Sequence, residues 1–488
     1  MVTKQGENRY ILHRTVQAFA NQKLQQQPAQ ASALMKTYAH FYLEFFADRE
    51  DGLLGAAYGR AVEEIQAELD NIHAAWRRAV AHQMTSELGH CLDALLWFYE
   101  QQGFYLDVID LVNQALQAFV PIYEAQPQKS ATPITLLVGR LQTLRGLWHL
   151  RTGRMAQAHA AYEVSWSILQ HENDPIAAAY CLGFWGASLR AYDPQRSVAL
   201  LTEALHMAQA SGVAWMQAML YQLFGEASLY AGDFAEAERM TAKGHALAEQ
   251  INFARGLAAS HKVMGRIHLA RGRYRQGEER LRRSVEIARR HHITQYYLSS
   301  IIMLGEALRL QGRFAEAQAC YGEGRKLAEA CGADVLVAPV LWEEGSLAEQ
   351  CGNYAAAKAC FTESLAIGIP NGWIHVLPTL GWALIGLGEM AEAEAYFQQV
   401  LTNADRKGYL PICLDAQAGL AYLAARQSRA KQSGATGGES SAPTATTFSE
   451  LYLHPSATQQ TRQRIEALAA ELGISLSHVT PSVATISN

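Results

Sequence analysis

Apolar positions recur three or four apart along most of this chain, the spacing that gathers side chains on one face of an α-helix. The segment LDNIHAAWRRAV, residues 69–80, is a short example and reads as an amphipathic helix. From about residue 86 to 427 such helices follow one another in a fixed rhythm. Six stretches show it: RGLWHLRTGRMAQAHAAY, FGEASLYAGDFAEAERMT, MGRIHLARGRYRQGEERL, LGEALRLQGRFAEAQACY, EGSLAEQCGNYAAAKACF and LGWALIGLGEMAEAEAYF. Each carries a Gly, a second Gly seven residues later, and an aromatic residue or Met two positions beyond. The first glycines are Gly146, Gly225, Gly265, Gly305, Gly345 and Gly381; the second are Gly153, Gly232, Gly272, Gly312, Gly352 and Gly388. A seventh stretch, WGASLRAYDPQRSVALLT, has Gly186 in the first position and Asp193 in the second. Successive first glycines lie 39 or 40 residues apart, and 36 at the last interval.

A Gly inside a helix costs about 1 kcal/mol relative to Ala, so each first Gly needs a compensating contact. The pattern predicts close approach of a second helix through the small residue twelve positions on: Ala158, Ala237, Gly277, Ala317, Ala357 and Ala393. The second Gly ends the first helix in a left-handed turn, which Gly adopts without a Cβ clash. Tyr162, Tyr321, Phe361 and Phe397 are expected to fill the space between neighbouring helix pairs. This pattern resembles the tetratricopeptide repeat, with connections that lengthen the unit to about forty residues. It implies an all-α fold, a right-handed superhelical solenoid over residues 86–427 with a helical adaptor before it. Weaker units flank the seven: ALLWFYEQQGFYLDVIDLVNQAL, with Gly103 at the turn, and AGLAYLAARQ, with Gly419. A polar Ser/Gly/Thr/Ala tract predicts a disordered linker over 428–447. A capping helix pair over 448–473 and a flexible tail over 474–488 are expected after it.

The N-terminal part contributes its own motifs. Leu12, His13, Phe19, Ala20, Lys23 and Leu24 match an LHxxxxxFAxxKL-like helix. Glu68, Asp70, Asn71, Ala74, Ala75 and Trp76 match an ExDNxxAAxxWA-like helix that leads into repeats. This region resembles the segment after the nucleotide-binding core in bacterial signal-transducing ATPases of the STAND class, including MalT-like, LuxR-type and SARP-type regulators with tetratricopeptide sensor arms. The resemblance implies that residues 1–27 are a remnant of a winged-helix segment and 28–85 the helical adaptor. It also implies that LDNIHAAWRRAV is the joint between motor and sensor. The chain departs from those ATPases in one respect: there is no GxxxxGK[ST] loop and no GK dipeptide, so no backbone cradle or Lys for phosphates. A nucleotide-binding module is therefore expected to be separately encoded or missing.

Composition narrows the function classes. With 41 Lys+Arg against 46 Asp+Glu in 488 residues, the net charge of −5 argues against general attraction to nucleic acid or anionic membrane. Seven scattered cysteines without a CxxC pair read as reduced thiols, and the N-terminus has no apolar signal core, so a cytoplasmic protein is expected. No HExxH, GxSxG or paired metal-spaced Cys/His motif occurs, so no catalytic residue, metal site or cofactor is expected. His291 and His292 are adjacent and read as a solvated helix end. The arginine-rich segment 271–292 reads as a solvated outer face rather than a nucleic-acid patch.

The better binding surface is the inner face. Counting from each first Gly, positions −6, −3, +1 and +4 should point into the concave groove. They supply the partner-binding residues Gln222, Glu226, Lys262, Arg266, Glu306, Arg309, Trp342, Glu349, His375 and Trp382, with Arg140 and Arg190 at the earlier repeats. Two readings stand: a ladder of exposed ion pairs between repeats, or a charged, aromatic-edged groove for a protein, peptide or small-molecule inducer. The co-chaperone carboxylate clamp is disfavoured, because among inward positions only Lys262 qualifies and no Asn does. The sequence thus predicts a non-catalytic sensor arm of a STAND-type regulator. The alternative is a free-standing scaffold that binds a protein or peptide.

Overall fold

The computed structural model describes residues 2–4, 10–55, 57–125, 132–190, 193–331, 334–367, 376–404, 410–432 and 442–476. An antiparallel hairpin, β1 (Val2–Lys4) and β2 (Tyr10–Leu12), is the one sheet among them. It leads into α1 (Arg14–Gln25), whose first turn is capped by the His13 ring. An adaptor follows: α2 (Pro28–Ala47), α3 (Glu50–Leu54), α4 (Tyr58–Ala67), α5 (Leu69–Ala81) and α6 (Thr85–His90).

Eight antiparallel helix pairs come next. They are α7 (Leu92–Gln102) with α8 (Tyr105–Glu124), α9 (Pro133–Arg151) with α10 (Met155–Leu169), α11 (Pro175–Leu189) with α12 (Pro194–Ala210), and α13 (Ala214–Ala231) with α14 (Phe234–Gln250). The second four are α15 (Ala254–Ala270) with α16 (Tyr274–Arg290), α17 (Thr294–Arg309) with α18 (Phe314–Ala330), α19 (Ala338–Gln350) with α20 (Tyr354–Ile367), and α21 (Val376–Leu387) with α22 (Met390–Ala404). The chain closes on α23 (Leu410–Gln432), α24 (Ala442–Leu453) and α25 (Gln459–Glu471).

The predicted joint is α5. Its apolar stripe, Ile72, Ala75, Trp76 and Ala79, is buried and packs between α2 and α8. Trp76 Nε1 donates to the Leu111 carbonyl of α8 at 2.9 Å, and Asn71 Oδ1 accepts from the Tyr38 hydroxyl of α2 at 2.8 Å. The motif residues thus tie the adaptor to the first helix pair.

The glycines hold the array together. All six second glycines take left-handed φ angles, 83° at Gly232 and Gly388, as does Gly103 at 84°. At Gly146, Gly345 and Gly381 an added Cβ would meet the ring of Tyr162, Phe361 and Phe397 at 2.7 Å, and Tyr321 covers Gly305 in the same way. These rings therefore seat on the first glycine of their own helix pair, and some also reach the next element as expected: Phe397 lies equally close to Gly419 of α23, and the Tyr321 hydroxyl donates to Glu343 of α19. A ring is flat, so a missing Cβ lets it lie against the helix backbone and fills the space with apolar contact. Where the second helix carries an aliphatic residue, Leu201 or Leu281 occupies the same seat, on Gly186 or Gly265.

The expected linker is corrected. α23 runs to Gln432 and α24 starts at Ala442, so residues 428–432 and 442–447 are helical; 433–441 lie outside the described residues. Phe448 and Leu451 enter the core, and that burial anchors a helix whose short polar start has little to offer alone. Of the expected tail, 477–488 lies outside the described residues.

The solenoid then meets itself. α7 packs against α17, α13 against α23, and α15 against α25. Each of these three packings joins helices ten apart, so one superhelical turn takes five helix pairs. Contacts across the seam are specific. The Tyr58 hydroxyl donates to the His292 carbonyl at 3.4 Å, Arg255 reaches Glu100 at 3.4 Å, and Tyr274 donates to Gln463 at 3.3 Å. Gly232 and Gly272 lie where a Cβ would strike Ser456 and Gln459 of the next turn, at 2.6 and 2.7 Å. No described helix is long and apolar enough to cross a membrane.

Candidate functional site

The odd-numbered helices line the inside of the superhelix, because the glycine face of each is taken by its even-numbered partner. They enclose a channel of about 560 Å³. Arg190, Tyr230, Arg266, Glu306, Arg309 and Trp342 are among its wall residues, and α25 closes part of it with Thr461 and Arg464. That volume lies within the range of small-ligand sites, ~300–1,000 Å³.

Charges on this wall are organised. Glu226 of α13 gathers three cations from the inner helices on either side: Lys262 at 2.7 Å and Arg266 at 3.8 Å from α15, and Arg190 at 3.2 Å from the end of α11. Burial alone would push the Glu226 carboxyl up, but these cations outweigh it and hold it at about 2. Tyr230 and Tyr296 lie under Arg266 and Lys262, at 4.7 and 5.1 Å from the ring centres, and keep both side chains in place. Arg151 pairs with the buried Glu100, which Arg255 also reaches.

Further along, the balance reverses. Arg309 bonds Glu343 at 3.2 Å, and Glu343 also accepts from the Tyr321 hydroxyl at 3.2 Å. Glu306 stands on the same wall. Enclosure, with Glu343 beside it, pushes the Glu306 carboxyl up to about 7 against the pull of Arg309 and Arg266. Glu343 is raised by burial too, in spite of Arg309. Arg464 bridges Glu349 at 2.9 Å and Asp415 at 3.0 Å. Arg309 Nε is buried without an acceptor among the described residues.

The structure therefore brings Arg266, Glu306, Arg309, Trp342 and Glu349 to one channel. It places the others differently. Glu226 and Lys262 are buried behind the wall as the ion pair that sets Arg266 and Arg190. Gln222 is buried against Gly244 of α14, away from the channel. Trp382 is buried at a helix junction, its Nε1 donating to Asp415 at 2.9 Å and its ring under Arg464. His375 lies outside the described residues. Arg140 pairs with Asp93 at 2.9 Å, outside the channel wall. The ion pairs between repeats exist, but they are largely buried rather than exposed.

Sequence reasoning missed Arg151, Tyr230, Glu343, Asp415 and Arg464. The first two sit five positions after a first Gly and Glu343 two before one, so a wider inward arc would have included them. Arg464 comes from a closing helix outside the repeat, and no periodicity points to it. On the outer side, Arg282 and Arg283 are 53% and 63% exposed and pair locally with Glu278 and Glu286. His291 caps α16, and His292 takes a left-handed turn at φ 52°. Among the described residues no group of His, Cys, Asp and Glu could hold a metal ion.

Comparison with known proteins bears on the fold. Tetratricopeptide-repeat models match residues 256–330, and 338–367 with 378–405. No curated protein matches the sequence. Among solved structures, a Rap protein complexed with competence and sporulation factor is 13% identical, with a TM-score of 0.55, over 76% of this chain and 98% of that one. The Rap conjugation gene regulator of plasmid pLS20, in complex with the Phr* peptide, is 12% identical with a TM-score of 0.49, over 68% and 93%. A STAND protein with a tetratricopeptide repeat sensor from Pyrococcus horikoshii is 13% identical with a TM-score of 0.41, over 78% and 56%. The fold is an all-α tetratricopeptide-repeat array.

Proposed function

We propose that this chain is a non-catalytic sensor or interaction arm that takes a short peptide segment into its central channel. The observation that carries the proposal is the channel itself: a partly open space lined by both charge signs beside Trp342 and Tyr230. Aromatic rings add contact area at small entropic cost, and Arg adds a rigid fork of donors, which is why both dominate binding hot spots. The Rap protein of similar fold was solved in complex with a separate factor. Within this proposal α5 passes the bound state to the N-terminal segment, where a STAND-type nucleotide module would act. The chain alone should not bind nucleotide, so Mg-ATP should give no saturable heat in calorimetry; a micromolar isotherm would contradict this.

The test is selection from a synthetic peptide mixture, followed by affinity measurements on variants. Arg266→Ala and Trp342→Ala should each weaken binding by about 1 kcal/mol or more. Arg282→Ala and Arg283→Ala on α16 should leave it nearly unchanged. Sensitive α16 arginines with silent channel residues would move the site to the outer face.

A further inference from the structure

The channel is electrically polar along its axis, and the polarity follows the superhelical turns. Its first turn, α7 to α15, presents Arg151, Arg190 and Arg266 on the wall. Arg255 and Lys262 stand behind them, and only Glu100 and Glu226 oppose these five cations in the ion-pair network. The second turn, α17 to α25, presents Glu306, Glu343, Glu349 and Asp415 on the wall. Arg309 and Arg464 oppose them, so four carboxylates face two cations. The turns are stacked, since α7, α13 and α15 lie against α17, α23 and α25.

Such a wall binds opposite charges at opposite ends. At a partly buried wall each pairing is screened less than it would be in water. We infer that the channel orients a short peptide with free ends, its carboxylate toward Arg190 and Arg266 in the first turn and its amino group toward Glu306 and Glu343 in the second. This rests on the proposed peptide-binding function and adds direction and end-group chemistry to it. Glu306 agrees with it: burial first, and then the neighbouring Glu343, push its carboxyl up to about 7 against the pull of Arg309 and Arg266, while the nearby Tyr274 and Tyr321 stay uncharged there. An ammonium group beside it would favour the ionised form. Binding should then release protons near pH 7 and weaken as pH falls below it.

The experiment uses the full chain and a mixture of random penta- to heptapeptides with free termini, with bound species identified by mass spectrometry. Selected peptides are then resynthesised with an acetylated amino end or an amidated carboxyl end. Each cap should reduce wild-type affinity about tenfold, as loss of a charge-assisted contact does. In Arg266→Gln, amidation should no longer matter while acetylation still does; in Glu306→Gln the reverse should hold. Arg151→Gln serves as the first-turn variant if Arg266→Gln does not fold. Opposite pairing of caps with variants would overturn the orientation. Peptides that bind regardless of their caps would overturn end-group recognition and leave peptide binding standing. No selected peptide at all would overturn the proposed function, and the orientation with it.

Discussion

A single carboxylate shows how the wall is held. Glu226 is buried yet stays ionised because Lys262, Arg190 and Arg266 surround it, and its carboxyl is held at about 2. Its folded value is lower than the unfolded one, so the stability it contributes is present above about 4.5 and lost as pH falls toward 2. Glu226→Gln would leave three cations without their shared anion, and removing one member of a buried pair typically costs about 3–5 kcal/mol. Urea unfolding at pH 7 should show a loss of that order, and the gap between variant and parent should narrow as pH falls from 4.5 toward 2. A gap constant over that range would mean the pairing contributes nothing. Glu306 works in the opposite sense. Its raised carboxyl makes the fold less stable as pH rises from about 4.5 to 7, a cost located at the wall where a cation is expected to bind.

At the scale of the element, the helix pair is set by one absent methyl group. Gly265 faces Leu281, and an added Cβ would stand 2.6 Å from its Cγ, with the Gly277 carbonyl 3.3 Å away. Gly265→Leu should overpack this contact and cost about 1–3 kcal/mol. A variant that melts like the parent would remove this glycine from the packing account. The paired glycines were legible in the sequence because backbone approach and left-handed turns admit few other residues. Their period located the helices and the inward positions of Arg266, Glu306, Arg309, Trp342 and Glu349. What seats on each glycine was not legible, since a small residue twelve positions on and a ring sixteen positions on both fit the spacing. Nor was the fate of Gln222 and Trp382, which share the inward phase but are covered by Gly244 and by Arg464. Helical phase gives direction from an axis; it does not say what a later segment lays over that face.

The whole molecule is more than a row of repeats, because five helix pairs complete a turn and the next turn rests on the first. An open solenoid offers a groove; this one encloses a channel, and Arg464 of the last helix joins its wall through Glu349 and Asp415. Closure comes from residues about two hundred apart in sequence, such as Tyr274 and Gln463, which no local pattern links. It also converts scattered charges into two stacked zones of opposite sign. The central claim is that this channel, and not the arginine-rich outer helix α16, receives the ligand. The most direct measurement is photo-crosslinking of a selected peptide carrying a photoreactive residue, with adducts mapped by mass spectrometry. The account places them on channel residues such as Tyr230, Met303 and Trp342. Adducts concentrated on α16, around Arg282 and Arg283, with the channel unlabelled, would contradict it.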